Sequence, residues 1–245
     1  MKPLRISVSV AVVALTATLS CFAQSSFLGP MLTTTLSTSV GAGVASYGTP
    51  SRFSFGGQYS RVSATGSELT FTLHHRSESG GFLTDYKKTS GGIIGRLNVI
   101  DIPIGQPTIV TTLESSSIEL GAGLRFPIID LDTADAKLLF QFGVSADYLT
   151  SMQQISDFSR IPEADRPGIP VQSTIVFAQQ AGFGGQFGIA AVAPVGGSRL
   201  LIELLYTVRQ PTTIPFPTGI TSAEQNISWL TGRGIRLGLS YQFKI

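Results

Sequence analysis

Ile235, Leu237, Leu239, Tyr241, Phe243 and Ile245 alternate with Arg236, Gly238, Ser240, Gln242 and Lys244. Successive side chains of a strand point to opposite faces. The stretch 235–245 therefore predicts a strand with one bulky apolar face and one polar face. The same period predicts seven more strands, at 36–46, 52–62, 68–76, 117–127, 137–149, 180–192 and 198–209. The first of these is weak and glycine-rich. In 68–76, Leu69, Phe71, Leu73 and His75 oppose Thr70, Thr72, His74 and Arg76. In 198–209, Leu200, Ile202, Leu204, Tyr206 and Val208 oppose Arg199, Leu201, Glu203, Leu205, Thr207 and Arg209. An eleven-residue strand tilted by ~40° rises about 27 Å, close to the thickness of a bilayer's hydrocarbon core.

The links between strands alternate in length. Short ones fall at 63–66, 128–136 and 193–197, and long ones at 77–116, 150–179 and 210–233. That asymmetry belongs to outer-membrane barrels, whose long loops face outward. Gly48-Thr49-Pro50 reads as a short link where a long loop is expected. Strand-like runs within 91–113 either form a hairpin above the barrel or raise the count to ten. The predicted fold is all-β, a transmembrane antiparallel up-and-down β-barrel of eight strands, with ten as the alternative.

Composition narrows the setting. The chain is 42% hydrophobic and 13% charged, whereas soluble domains carry about 25% charged residues. Beyond the N-terminal segment no run of 18 apolar residues occurs, so a closed barrel is the remaining way to span a bilayer. The net charge of +2 is too small and dispersed for a nucleic-acid partner. Lys2 and Arg5 precede the apolar stretch from Ile6 to Leu19, and Cys21-Phe22-Ala23 offers a cleavage site. Residues 1–23 are expected to be a cleaved secretory signal, 24–35 an N-terminal periplasmic segment, and 36–245 the barrel domain. Acylation of Cys21, the only cysteine, is the rival reading.

The uniformly large apolar face is expected to meet lipid, and the small polar face to line a narrow lumen. Arg76, Glu119, Arg125, Asp147, Glu203, Arg209 and Arg236 then form a lumen charge network, with Arg199 and Lys244 also inward. Such charges should pair or stay hydrated; Glu203 and Arg236 lie on neighbouring strands, and a salt-bridged lumen rather than an open channel is expected. Tyr59, Phe126, Tyr148, Tyr206, Tyr241 and Phe243 fit interfacial aromatic girdles.

Ser67-Glu68-Leu69-Thr70-Phe71, Ile118-Glu119-Leu120, the run 182–188 followed by Ile202-Glu203-Leu204-Leu205-Tyr206, and Leu237–Phe243 together resemble the PorT-like family of outer-membrane β-barrels. More loosely the chain is similar to small OmpA/OmpX-type barrels. The resemblance implies an eight-stranded barrel inserted by the outer-membrane assembly machinery through its last strand. Phe243 stands third from the end, where the family commonly ends on an aromatic.

No P-loop, Gly-x-Ser-x-Gly or paired-cysteine motif is present, and no catalytic residue, cofactor or metal is expected. Asp130, Asp132 and Asp135 read as a polar turn rather than a calcium loop. His75 and Ser77, with Glu78, resemble the catalytic pair of outer-membrane lipid A deacylases, a minor enzyme alternative. The expected role is structural or interactive, with long extracellular loops contacting an envelope or extracellular protein. The apolar runs 161–171 and 211–220 favour that role. A narrow pore or transporter for small solutes is the alternative. The expected location is the outer membrane of a Gram-negative-type bacterium, among its lipids and lipopolysaccharide.

Overall fold

Alternation makes strands, and closure removes their edges. The computed structural model describes residues 23–37, 45–89, 92–96, 108–131, 135–209, 212–215, 220–221, 226–229 and 234–245. Its strands are β1 (Ala23–Ser37), β2 (Ala45–Ser63), β3 (Glu68–Thr89), β4 (Gly92–Arg96), β5 (Thr108–Leu131), β6 (Ala136–Asp157), β7 (Gln172–Val176), β8 (Gln180–Val195), β9 (Ser198–Arg209), β10 (Thr212–Pro215), β11 (Ile220–Thr221), β12 (Asn226–Trp229) and β13 (Gly234–Lys244). Eight of them pair antiparallel in the order β1, β2, β3, β5, β6, β8, β9, β13, and β13 pairs with β1. The result is a closed up-and-down barrel of eight strands.

The expected first strand at 36–46 is corrected. Residues 24–35, expected to precede the barrel, lie within β1 and pair with both β2 and β13. Pro30 and the threonine run 33–35 disguise the alternation there, because proline cannot donate to a ladder. The Pro30 carbonyl instead accepts a hydrogen bond from Ser240 Oγ at 2.8 Å. Gly48-Thr49-Pro50 is likewise not a link. It lies inside β2, where the register with β3 shifts between Tyr47 and Ser51. A bulge is where a sheet tolerates proline. Residues 1–22 of the expected signal lie outside the described residues.

The strand-like runs at 93–94 and 108–113 do not enlarge the ring, and the run 97–104 lies outside the described residues. β3 and β5 continue past the rim, and β4 pairs along β3 from Asp85 to Thr89. β6 also runs on, and β7 pairs beside it. A register shift at Ser116 and Ser117 re-aims the β5–β6 pair above that point. The link after β6 folds onto this extension, burying Phe158 and Ile161 against Ile109. Ile161, expected on a partner-binding loop, is therefore spent on the protein's own packing.

The three short links sit at the end of the barrel opposite this wall. Each carries a left-handed residue: Gly66 (φ 79°), Asp135 (φ 53°) and Gly196 (φ 62°). Tight reversals need that conformation, which glycine and aspartate adopt with little strain.

Polarity is inside-out. Phe55 is 63% exposed and Leu120 58%, whereas Arg125 is 0% and Glu203 1% exposed. Outward apolar side chains run from Leu28 to Leu36 on β1 and from Ile235 to Phe243 on β13. Eight residues of tilted strand make a belt about 20 Å high between its terminal side chains. Tyr59, Phe126, Tyr241 and Phe243 fall toward the short-link end of this belt, and Tyr148 and Tyr206 toward the other.

Glycine lets the narrow ring close. A Cβ on Gly56 would lie 1.9 Å from the Leu73 carbonyl oxygen, and one on Gly188 2.1 Å from that of Leu204. Gly56→Val and Gly188→Val are each expected to cost about 3 kcal/mol. Urea unfolding in detergent should show earlier midpoints for both, whereas Gly57→Ala, with no close neighbour in the way, should unfold like the parent.

Candidate functional site in the barrel lumen

The polar phase of each strand delivers its charges to one enclosed space. Glu68 from β3 accepts hydrogen bonds from Arg125 of β5 (2.9 Å) and from Arg199 of β9 (2.5 and 3.1 Å). Arg125 also donates to Glu203 of β9 and, at 2.7 Å, to Gln141. Gln58 donates to Glu203 at 3.3 Å and accepts from Gln242 at 2.6 Å. Gln242 in turn accepts from Arg199 at 2.8 Å. The Arg199 guanidinium lies 4.0 Å from the centre of the Phe27 ring, a cation–π contact. This network toward the short-link end balances two carboxylates with two guanidiniums.

A second network lies toward the long-loop end. Glu119 of β5 accepts from Arg76 (3.0 Å), Arg236 (2.9 Å) and Arg209. Arg76 also approaches Glu78 at 2.8 Å and Asp147 at 3.7 Å, and Arg52 approaches Glu78 at 3.5 Å. Arg236 donates further to Gln186. Four guanidiniums meet three carboxylates here. His74 projects inward nearby, 1% exposed, and neither ring nitrogen has a hydrogen-bond partner.

These bonds cross the lumen. β3 and β9 are four steps apart around an eight-strand ring, as are β5 and β13. Glu68–Arg199 and Glu119–Arg236 therefore span opposite walls. Leu139, Ala190 and Leu201 pack inside as an apolar filling, and Met31 and Leu205 are buried too. The interior is occupied by paired ions and hydrocarbon.

All seven network residues read from the sequence, Arg76, Glu119, Arg125, Asp147, Glu203, Arg209 and Arg236, point inward, divided between the two networks. Glu203 and Arg236 lie on neighbouring strands and feel each other's charge, but each makes its ion pair elsewhere, Glu203 with Arg125 and Arg236 with Glu119. Glu203 faces Gly238, two residues further along β13, and the long guanidiniums reach across the lumen instead of along the wall. Lys244 keeps the inward phase but is exposed at the end of β13, at a cavity mouth it shares with Glu68 and Arg199. Glu68, Glu78 and Arg52 were missed. Glu68 already opens the predicted strand 68–76 in phase with Thr70, Thr72, His74 and Arg76, and carrying that phase two residues further finds Glu78.

The aromatics stand outside. Tyr59 stacks on Phe71 with ring centres 6.4 Å apart, Phe126 on Phe142 at 5.7 Å, and Tyr206 lies 5.3 Å from Phe187. Tyr241 meets Phe243 edge-on at 5.1 Å, and Tyr148 donates to Gln179. His75 and Ser77 are also outward, His75 beside Phe55. Glu78 points into the lumen toward Arg52 and Arg76, so it cannot orient His75 as the acid of a triad. Among the described residues no group of three or more His, Cys, Asp or Glu side chains is placed to hold a metal. No protein-family model and no curated protein matches the chain.

Removing Glu119 takes a shared carboxylate from three guanidiniums in a confined interior, leaving Arg209 and Arg236 without their ion-pair partner. Glu119→Ala is expected to cost about 3–5 kcal/mol in urea unfolding. Lys137→Ala breaks only an exposed pair with Asp130 at 3.7 Å and is expected to cost less than about 1 kcal/mol. Equal losses would show that the lumen network contributes no more than a surface pair.

Proposed function

We propose that the chain is an integral outer-membrane β-barrel with a filled lumen, acting through its outer surface and its long-loop end rather than as a conduit. The inside-out distribution of side chains carries this reading. Large apolar groups cover the outside, while buried charges pair within. In water such an apolar belt would drive association, whereas in a bilayer it replaces the lipid contacts of a spanning segment. Closure satisfies the backbone, as a hydrocarbon environment demands. The belt height and its two aromatic groups suit the same setting.

The ionic crossings argue for a filled lumen. Each crossing pair couples opposite walls, so an open path requires separating buried charges. The eight-strand fold is also the one that the resemblance to PorT-like barrels implies. An interaction role at the long-loop end follows from the wall raised there by β3, β5 and β6.

One substitution separates a membrane barrel from a soluble one. Leu120 faces outward in the middle of the belt. Leu120→Arg is expected to lower stability in lipid bilayers by about 2–4 kcal/mol. In a water-soluble barrel the same surface change would stay within about 0.5 kcal/mol. Refolding into liposomes, followed by urea titration, reads the difference; an unchanged midpoint together with full solubility without detergent would sink the membrane reading. The purified protein in planar bilayers is expected to give no steady large conductance.

A further inference from the structure

Where β3, β5 and β6 leave the belt, their outward rows change chemistry abruptly. Cross-strand pairing aligns His75, Ile118 and Tyr148 in one row. The next row toward the long-loop end is Ser77, Ser116 and Ser151, and the one beyond is Ser79, Glu114 and Gln153. Val176 of β7 pairs beside Gln153. These two rows line a cavity of about 440 Å³ open to the outside. The β5–β6 register shift at Ser116 and Ser117 lies within it. Bulges re-aim side chains and locally bend the strand, so the groove is a product of the fold at that height.

The groove's chemistry is specific. Its outward side chains are four serine hydroxyls, the Glu114 carboxylate and the Gln153 amide, with Gln153 donating to Glu114 at 2.7 Å. Among the described residues no lysine or arginine lines it. A phosphate or other anion would meet a carboxylate and no cation. A polyhydroxylated ring would meet both acceptors and donors along the two polar rows, with Val176 as an apolar edge. The volume lies within the range of about 300–1,000 Å³ typical of small-ligand sites. The row immediately below, with Ile118 and Tyr148, belongs to the apolar belt. A ligand seated here therefore has its polar part in the groove and hydrocarbon within reach below.

We propose that this serine-lined groove binds the saccharide headgroup of a membrane glycolipid, whose acyl chains lie along the belt beneath. The inference rests on the membrane reading and adds to it a site and a ligand class.

The test uses the full-length protein reconstituted into phosphatidylethanolamine liposomes. Three preparations carry in addition a monogalactosyl diacylglycerol, a phosphatidylglycerol, or neither. Native mass spectrometry after release into a sugar-free detergent reads the lipid retained. Galactolipid retention about tenfold above phosphatidylglycerol is expected, as a few hydrogen bonds supply. Ser77→Leu/Ser151→Leu fills the groove with outward hydrocarbon and is expected to lose that excess while inserting normally. Glu114→Gln keeps the shape and is expected to weaken retention about threefold. Preferential retention of phosphatidylglycerol, or galactolipid retention unaltered by both variants, overturns the proposal while leaving the membrane reading intact. Failure of the parent protein to insert in any of the three liposomes overturns the membrane reading and this site with it.

Discussion

The pairing of β1 with β13 is the contact on which the rest depends. It turns a sheet with two open edges into a ring with none. Each strand of the ring then satisfies its backbone groups against neighbours on both sides, so the outside of the wall needs no water. Only such a wall can carry Leu28, Leu120, Leu237 and their neighbours outward without exposing polar backbone beneath them. The proline at position 30 tests this logic. It sits in a strand paired on both sides, where a ladder bond is missing, and the Ser240 hydroxyl takes up its carbonyl.

Closure with eight strands leaves little room inside, and the sequence fills it in two ways. Where strands draw close, glycine removes the side chain altogether, as at Gly56 and Gly188. Elsewhere the space is bridged by long arginines whose charge must be met. Glu68 and Glu119 each accept from more than one guanidinium, and the pairs reach across to opposite strands. Buried ion pairs contribute little net stability against a hydrophobic alternative. What they supply is geometric: a fixed cross-tie between walls, and a strong penalty for any register that separates the partners. A shift of one residue would turn Glu119 to the apolar outside and Leu120 to the lumen.

Much of this was legible in the sequence because one face of each strand is so uniform. The alternation of Leu200 to Val208 against Arg199 to Arg209 survives intact in β9, and the same holds for β13. The first strand was misplaced because Pro30 and three successive threonines break the pattern at the points where local chemistry is ambiguous. Pro50 misled in the same way, reading as a link when it lies at a bulge. Which charges share the lumen follows from strand phase. Which charge meets which does not, because a pairing such as Glu68 with Arg199 joins residues 131 apart. It depends on the diameter and stagger of the ring, which strand phase does not encode. Glu78 was missed because the strand was ended too early, at the point where outward apolar residues give way to Ser77 and Ser79 while the inward phase continues.

A symmetric cylinder can spin about its axis without presenting anything new to its surroundings. This one cannot. β3, β5 and β6 continue past the rim as a palisade flanked by β4 and β7, whereas beyond the ends of β9 at Arg209 and β13 at Gly234 the continuous ladder gives way to the separate four-residue pair β10–β12. The molecule thus has a front and a back about its axis. Any neighbour that touches the tall flank fixes the barrel's heading as well as its position, so rotational orientation becomes a property that contact can set.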